Sequence, residues 1–151
     1  MVRAAQSRRC RLLAIQARTI KRVLLDKTPE ATVAVWGLAY KENTDSVKNS
    51  PSLATLRQLP TARLVLHDPV VAASAVGHMR ATGANDPLQA AAGADALMIL
   101  TPWPQYRSVA PAAIAQAMRG RIVLDPYGVL DGRAARQAGL DYHTLGRAPG
   151  I

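Results

Sequence analysis

The chain has 151 residues, 49% of them apolar, with 19 lysines and arginines against 10 acids and a net charge of +9. That length suits one domain with an extra arm, and that composition suits a real core. No apolar run approaches the roughly 20 residues of a membrane helix, the arginine-rich start does not read as a secretory leader, and the single cysteine, Cys10, permits no internal disulfide and fits a reducing cytoplasm.

The positive charge is uneven. Residues 1–30 hold eight basic groups and two acids, a net of +6, whereas residues 31–151 hold eleven and eight, a net of +3. A body this mildly basic argues against a dedicated nucleic-acid surface. His67, His78 and His143 lie too far apart to show metal-ligand spacing.

In chain order, residues 4–26 read as one helix. Leu13, Ala17, Ile20 and Leu24 fall at helical spacing and form an apolar stripe, and Thr28-Pro29 marks the stop. That stripe must dock on something, either the body behind it or another chain. Beyond residue 30, short apolar runs alternate with helical stretches. The runs are Val33–Trp36, Leu64–Leu66, Ala96–Leu100 and Ile122–Leu124. Each is nearly continuous in hydrophobicity, as parallel strands covered on both faces require.

Between the runs lie helices over Ser52–Leu59, Leu88–Ala92, about Ala112–Met118 and Asp131–Ala138. Ser50-Pro51 and Asp86-Pro87 supply a capping oxygen followed by proline in the first turn. Tyr142–Leu145 is a candidate edge strand. The alternation predicts right-handed crossovers and an α/β, doubly wound, mainly parallel sheet, preceded by the long amino-terminal helix. The expected organisation is a connector helix over 1–30, a domain over 31–147 and a tail over 148–151.

The segment richest in chemistry is the loop after the first strand, Gly37-Leu38-Ala39-Tyr40-Lys41-Glu42-Asn43-Thr44-Asp45-Ser46-Val47-Lys48-Asn49-Ser50-Pro51. Open α/β sheets bind ligands at strand carboxyl ends, and this loop offers Lys41 and Lys48 to an anion. It lacks the second and third glycines of Gly-x-Gly-x-x-Gly, so a dinucleotide pyrophosphate is not accommodated in the usual way, although Asp68 ends the second strand where a ribose-binding acid sits in such folds.

Four ordered segments carry a family resemblance. They are the loop pattern Gly-Leu-Ala-Tyr-Lys-x-x-Thr-Asp-x-x-Lys-x-Ser-Pro, then His67-Asp68-Pro69, then Thr101-Pro102-Trp103-Pro104-Gln105-Tyr106, and finally Tyr142 to Gly146-Arg147. Together they resemble the carboxyl-terminal, UDP-binding domain of the UDP-glucose/GDP-mannose dehydrogenases, over about residues 31–147. The resemblance implies a Rossmann-like three-layer domain that grips the nucleotide end of a sugar nucleotide.

In that family a separate amino-terminal domain binds NAD, and a cysteine in a Gly-rich loop carries the thioester chemistry of oxidising a sugar C6 alcohol to a carboxylate, a step toward polysaccharide precursors. Residues 1–36 contain no glycine, so that cysteine loop is not among them, and Cys10 reads as a plain helical cysteine. The resemblance also departs. Where the family often has Asp-x-Arg after the fourth main strand, with the arginine reaching substrate, this chain has Asp125-Pro126-Tyr127-Gly128.

Lys41 is the leading substrate-binding candidate, an ammonium at a strand end facing a diphosphate or a sugar carboxylate. Tyr40 either walls the pocket or fills the core. Lys48 either meets phosphate or is solvated. Tyr127 takes the missing arginine's place, with an altered contact. Thr44, Asp45 and Ser50 are assigned to structuring the loop, and Trp103 to packing rather than stacking on a base.

The leading expectation is a UDP-sugar-binding domain, inactive alone, whose NAD site and nucleophile come from elsewhere and whose helix 4–26 meets missing dehydrogenase domains or a second copy. The alternative is a stand-alone nucleotide-binding or dimerisation module. Organelle or nucleic-acid targeting through the basic first segment ranks last.

Overall fold

The computed structural model describes residues 2–43, 45–48 and 50–144, with side chains from residue 8 onward. Helix α1 spans Val2–Ile20 and closes with a π-helical turn over Lys21–Leu25. Leu13, Ala17 and Ile20 are buried, but the next inward residue is Leu25, while Leu24 is half-buried. A π turn adds a residue to the repeat, and the buried face advances from Ile20 to Leu25 instead of Leu24. The stripe packs on helix α2, Pro51–Arg57. Its partner is the body of the same chain, so it is not the exposed apolar face that pointed to a second copy.

Six parallel strands follow in the order β3-β2-β1-β4-β5-β6. They are β1 Thr32–Trp36, β2 Arg63–His67, β3 Ala81–Gly83, β4 Ala96–Ile99, β5 Ile122–Leu124 and β6 Asp141–His143. Strand β1 pairs with β2 from Thr32 opposite Arg63 to Trp36 opposite His67, and with β4 from Val33 opposite Ala96 to Trp36 opposite Ile99. Val33 to Trp36 and Ala96 to Ile99 are all buried, as strands covered on both faces must be.

Right-handed crossovers put the connections leading toward β3 on one face and those leading toward β6 on the other. Accordingly α3 (Pro87–Ala91), α4 (Pro111–Ala117) and α5 (Gly132–Gln137) pack in series, apart from the α1–α2 pair. The result is a three-layer, Rossmann-like α/β fold.

Local chemistry sets the helix starts. The Ser50 hydroxyl accepts from Leu53 N–H, Asp86 from Gln89 N–H, and Asp131 from Arg133 and Ala134 N–H, each satisfying first-turn donors that have no partner inside the helix. Strand β3 was not expected from the sequence. It is three residues long, partly buried at Ala81 and exposed at Thr82 and Gly83, so it shows no apolar run. The 3-10 turns Ala73–Ala75 and Pro104–Ser108 were likewise not anticipated. The predicted tail, 148–151, lies outside the described residues.

Candidate functional site

The carboxyl end of β1 is built from its first residue outward. Gly37 has φ +101, and a Cβ there would sit 2.4 Å from the Thr101 Cβ, so only glycine lets the chain turn this close to β4. The next two peptides are held by Asp68. Its Oδ2 accepts from Leu38 N–H at 2.7 Å and Ala39 N–H at 3.0 Å, and from the Trp103 indole N–H at 3.0 Å. Its Oδ1 accepts from Val70 and Val71 N–H, both at 2.9 Å.

The carbonyls of the same segment are also engaged. The Ser50 hydroxyl donates to Leu38 O at 2.9 Å, and the Thr101 hydroxyl donates to Ala39 O at 3.0 Å. Residues 37–39 are therefore fixed by β2, by α2's cap and by the segment after β4. Trp103 is buried, packed and hydrogen-bonded rather than presented to a ligand.

Beyond this anchor the loop turns outward. Tyr40 N–H donates to Ser46 O at 2.7 Å, closing the turn. Asn43 takes φ +62, the left-handed region that asparagine tolerates better than most residues. Lys41, Asp45 and Lys48 are exposed and Tyr40 is half-buried. Thr44 lies outside the described residues.

Tyr127 comes from the loop after β5. That loop is organised by Asp125, fully buried, which accepts from Val129 N–H at 3.0 Å, Leu130 N–H at 2.9 Å and the Tyr142 hydroxyl at 2.6 Å. Burial pushes the Asp125 carboxyl above the usual carboxylate range, while the Tyr142 hydroxyl and the backbone N–H groups pull the other way. Burial, and then the Asp125 carboxylate, raise the Tyr142 phenol in turn. On the β2 side, burial lowers His67, against the opposing pull of Asp68 and Asp86. Its Nδ1 lies 3.1 Å from the Tyr106 hydroxyl.

The structure brings Tyr40 and Tyr127 together through a residue that sequence reasoning passed over. Arg9, on α1, places its guanidinium carbon 5.9 Å from the Tyr40 ring centre and 5.3 Å from that of Tyr127. Its Nε donates to the Tyr127 hydroxyl at 3.2 Å. The cluster therefore joins α1, the β1 loop and the β5 loop at one end of the sheet. Lys48 and Asp45 are on the β1 loop but are not among the partners of Arg9. Among the described residues, no group of three or more histidine, cysteine, aspartate or glutamate residues is placed to hold a metal, and no helix is long and apolar enough to cross a membrane.

Residues 34–132 match the profile of the UDP-glucose/GDP-mannose dehydrogenase family, UDP binding domain. The chain belongs to that family. It corresponds to the carboxyl-terminal, UDP-binding part, and the family is one of NAD-dependent oxidoreductases. A UDP-glucose 6-dehydrogenase of Pseudomonas aeruginosa is 31% identical over 97% of this chain, which covers 34% of that protein. A UDP-N-acetyl-D-mannosamine dehydrogenase of Pyrococcus horikoshii is 34% identical over 69% of the chain and 23% of its own length.

Solved structures agree. A UDP-D-ManNAc dehydrogenase from Pyrococcus horikoshii superposes with a TM-score of 0.69 at 28% identity, over 88% of this chain and 30% of that one. A UDP-glucose dehydrogenase from Pyrobaculum islandicum superposes with a TM-score of 0.66 at 28% identity, over 89% and 30%. The UDP-binding domain described here thus spans about a third or less of the length of the relatives it matches.

Proposed function

We propose that this domain binds the nucleotide end of a UDP-sugar for an NAD-dependent nucleotide-sugar 6-dehydrogenase, and that the 151 residues alone do not turn over. The observation that carries the reading is the position of the 37–50 loop. It leaves the carboxyl end of β1 beside β4, where the strand order reverses, and ligands of open α/β sheets bind at such reversals.

Within this reading Lys41 supplies a positive point charge to the diphosphate, and Tyr40 and Tyr127 wall the site. Lys48 adds to the positive field. Asp45, Thr44 and Ser50 keep the loop in shape, and for Ser50 the bond to Leu38 O and the cap on α2 support that role. The domain works in the cytoplasm, where UDP-sugars are made, with no nucleic-acid or membrane partner.

The NAD site belongs to another domain. When bound, NAD would supply the hydride acceptor. The residues present here do not fit it. The Leu38 and Ala39 N–H groups that a pyrophosphate would need are both bonded to Asp68, and that carboxylate already receives N–H groups on both oxygens.

Calorimetry with UDP and UDP-sugars tests the proposal. Wild type binds, and Lys41→Ala weakens binding about tenfold, as the loss of one charge-assisted contact predicts. Absence of binding by wild type would favour a domain that serves only as a docking or dimerisation module. With NAD and a panel of UDP- and GDP-sugars, no NADH absorbance should develop, and sustained turnover would overturn the assignment of chemistry to other domains.

A further inference from the structure

We infer that Arg9 of helix α1 is a phosphate-binding residue of this site, so that the helix preceding the sheet contributes directly to holding a nucleoside diphosphate. The inference rests on the UDP-binding reading given above and adds a ligand-contacting group to it.

A half-buried guanidinium normally finds a carboxylate, because taking the charge partly out of water has a cost that a counter-charge offsets. Among the described residues, arginine–carboxylate pairs join Arg80 to Glu30 and Arg119 to Asp95, and Arg9 is in neither. Among the described residues its partners are two aromatic rings and a phenolic oxygen. These attract a cation modestly and do not neutralise it.

Guanidinium has five N–H donors in a rigid plane, and one, at Nε, is given to Tyr127. The rings of Tyr40 and Tyr127 fix the orientation of the group, which reduces the rotamer freedom it would lose on binding. The remaining donors form a fork suited to bidentate contact with phosphate oxygens.

Tyr40 immediately precedes Lys41, so the guanidinium is anchored on the residue adjoining the ammonium proposed to meet the same ligand. The two cations arrive from different elements, one from α1 and one from the β1 loop. Tyr127, from the loop after β5, completes the set.

The experiment compares UDP with uridine, which lacks the diphosphate, on wild type, Arg9→Gln, Arg9→Lys and Tyr127→Phe, with unfolding midpoints recorded for each. Arg9→Gln should weaken UDP about tenfold and leave uridine unchanged, and Arg9→Lys should fall between them. Tyr127→Phe keeps the ring and should lose less than Arg9→Gln. The inference is overturned, with UDP binding intact, if Arg9→Gln binds UDP as wild type does, or loses UDP and uridine in equal proportion. If wild type binds neither UDP nor a UDP-sugar, the underlying reading falls and this one with it. If Arg9→Gln unfolds, Arg9→Lys and Tyr127→Phe decide: unchanged UDP affinity in both overturns the inference, and a selective loss for UDP supports it.

Discussion

The Trp103 indole N–H reaches the Asp68 carboxylate at 3.0 Å, joining the segment after β4 to the end of β2 across the loop that leaves β1. One carboxylate thereby collects N–H groups from three separate connections. Asp68→Ala should destabilise the domain by about 2–4 kcal/mol, since several donors lose their acceptor at once. Urea unfolding measures this. The same variant should weaken UDP binding, because the 38–39 peptides set where Tyr40 and Lys41 begin. A variant that loses stability but binds UDP unchanged would separate the anchor from the site.

The π turn makes a contrast between neighbours. Leu25→Ala should cost about 2–4 kcal/mol, the range for emptying a filled core position, whereas Leu24→Ala should cost roughly 1 kcal/mol or less because its side chain is only partly covered. Equal costs, or the reverse order, would mean that the helix keeps its α register through residue 25. Thermal or denaturant midpoints of the two variants suffice.

A pH dependence follows from His67. Burial lowers its pKa in the folded state, while the unfolded chain keeps the ordinary value near 6.5. Just below that pH the unfolded state binds the proton and the folded state resists it, so stability rises with pH through the window and is lost as pH falls through it. Unfolding free energies from pH 5 to 8 should therefore slope upward in wild type, and less steeply in His67→Gln. The difference is at most about 1.4 kcal/mol per pH unit for one proton. Subtracting the variant isolates the contribution of His67.

Four of the six strands were legible because both faces are covered, which writes an unbroken apolar run into the chain, as in Val33–Trp36 and Ala96–Leu100, and β6 was legible as the short edge run beginning at Tyr142, which the strand shares at Tyr142 and His143. Strand β3 escaped because, in Ala81-Thr82-Gly83, only Ala81 is partly buried, and the strand exists through its pairing with Leu64–Leu66. The stripe on α1 was visible, but its last inward member was not, since Leu25 follows Ile20 by five positions rather than four. Asp68 could be seen as an acid at a strand end. Three of its five donors could not, because Leu38, Ala39 and Trp103 lie about 30 residues or more away in sequence, whereas Val70 and Val71 are local. Arg9 is the sharpest case. It lies 118 residues from Tyr127 on a helix rich in arginine, and nothing local in the sequence distinguishes it from the other arginines there.

The placement of β1 between β2 and β4 has a kinetic consequence. The Thr32 amide bonds to Asp95, 63 residues further along, so β1 emerges from the ribosome long before its second partner exists. Pairings this distant are slow to close, and until residues 96–99 arrive, one edge of this apolar strand stands open to any other extended chain. Substitutions that weaken the β1–β4 seam should therefore lower the yield of native protein during synthesis more than their effect on the finished domain suggests.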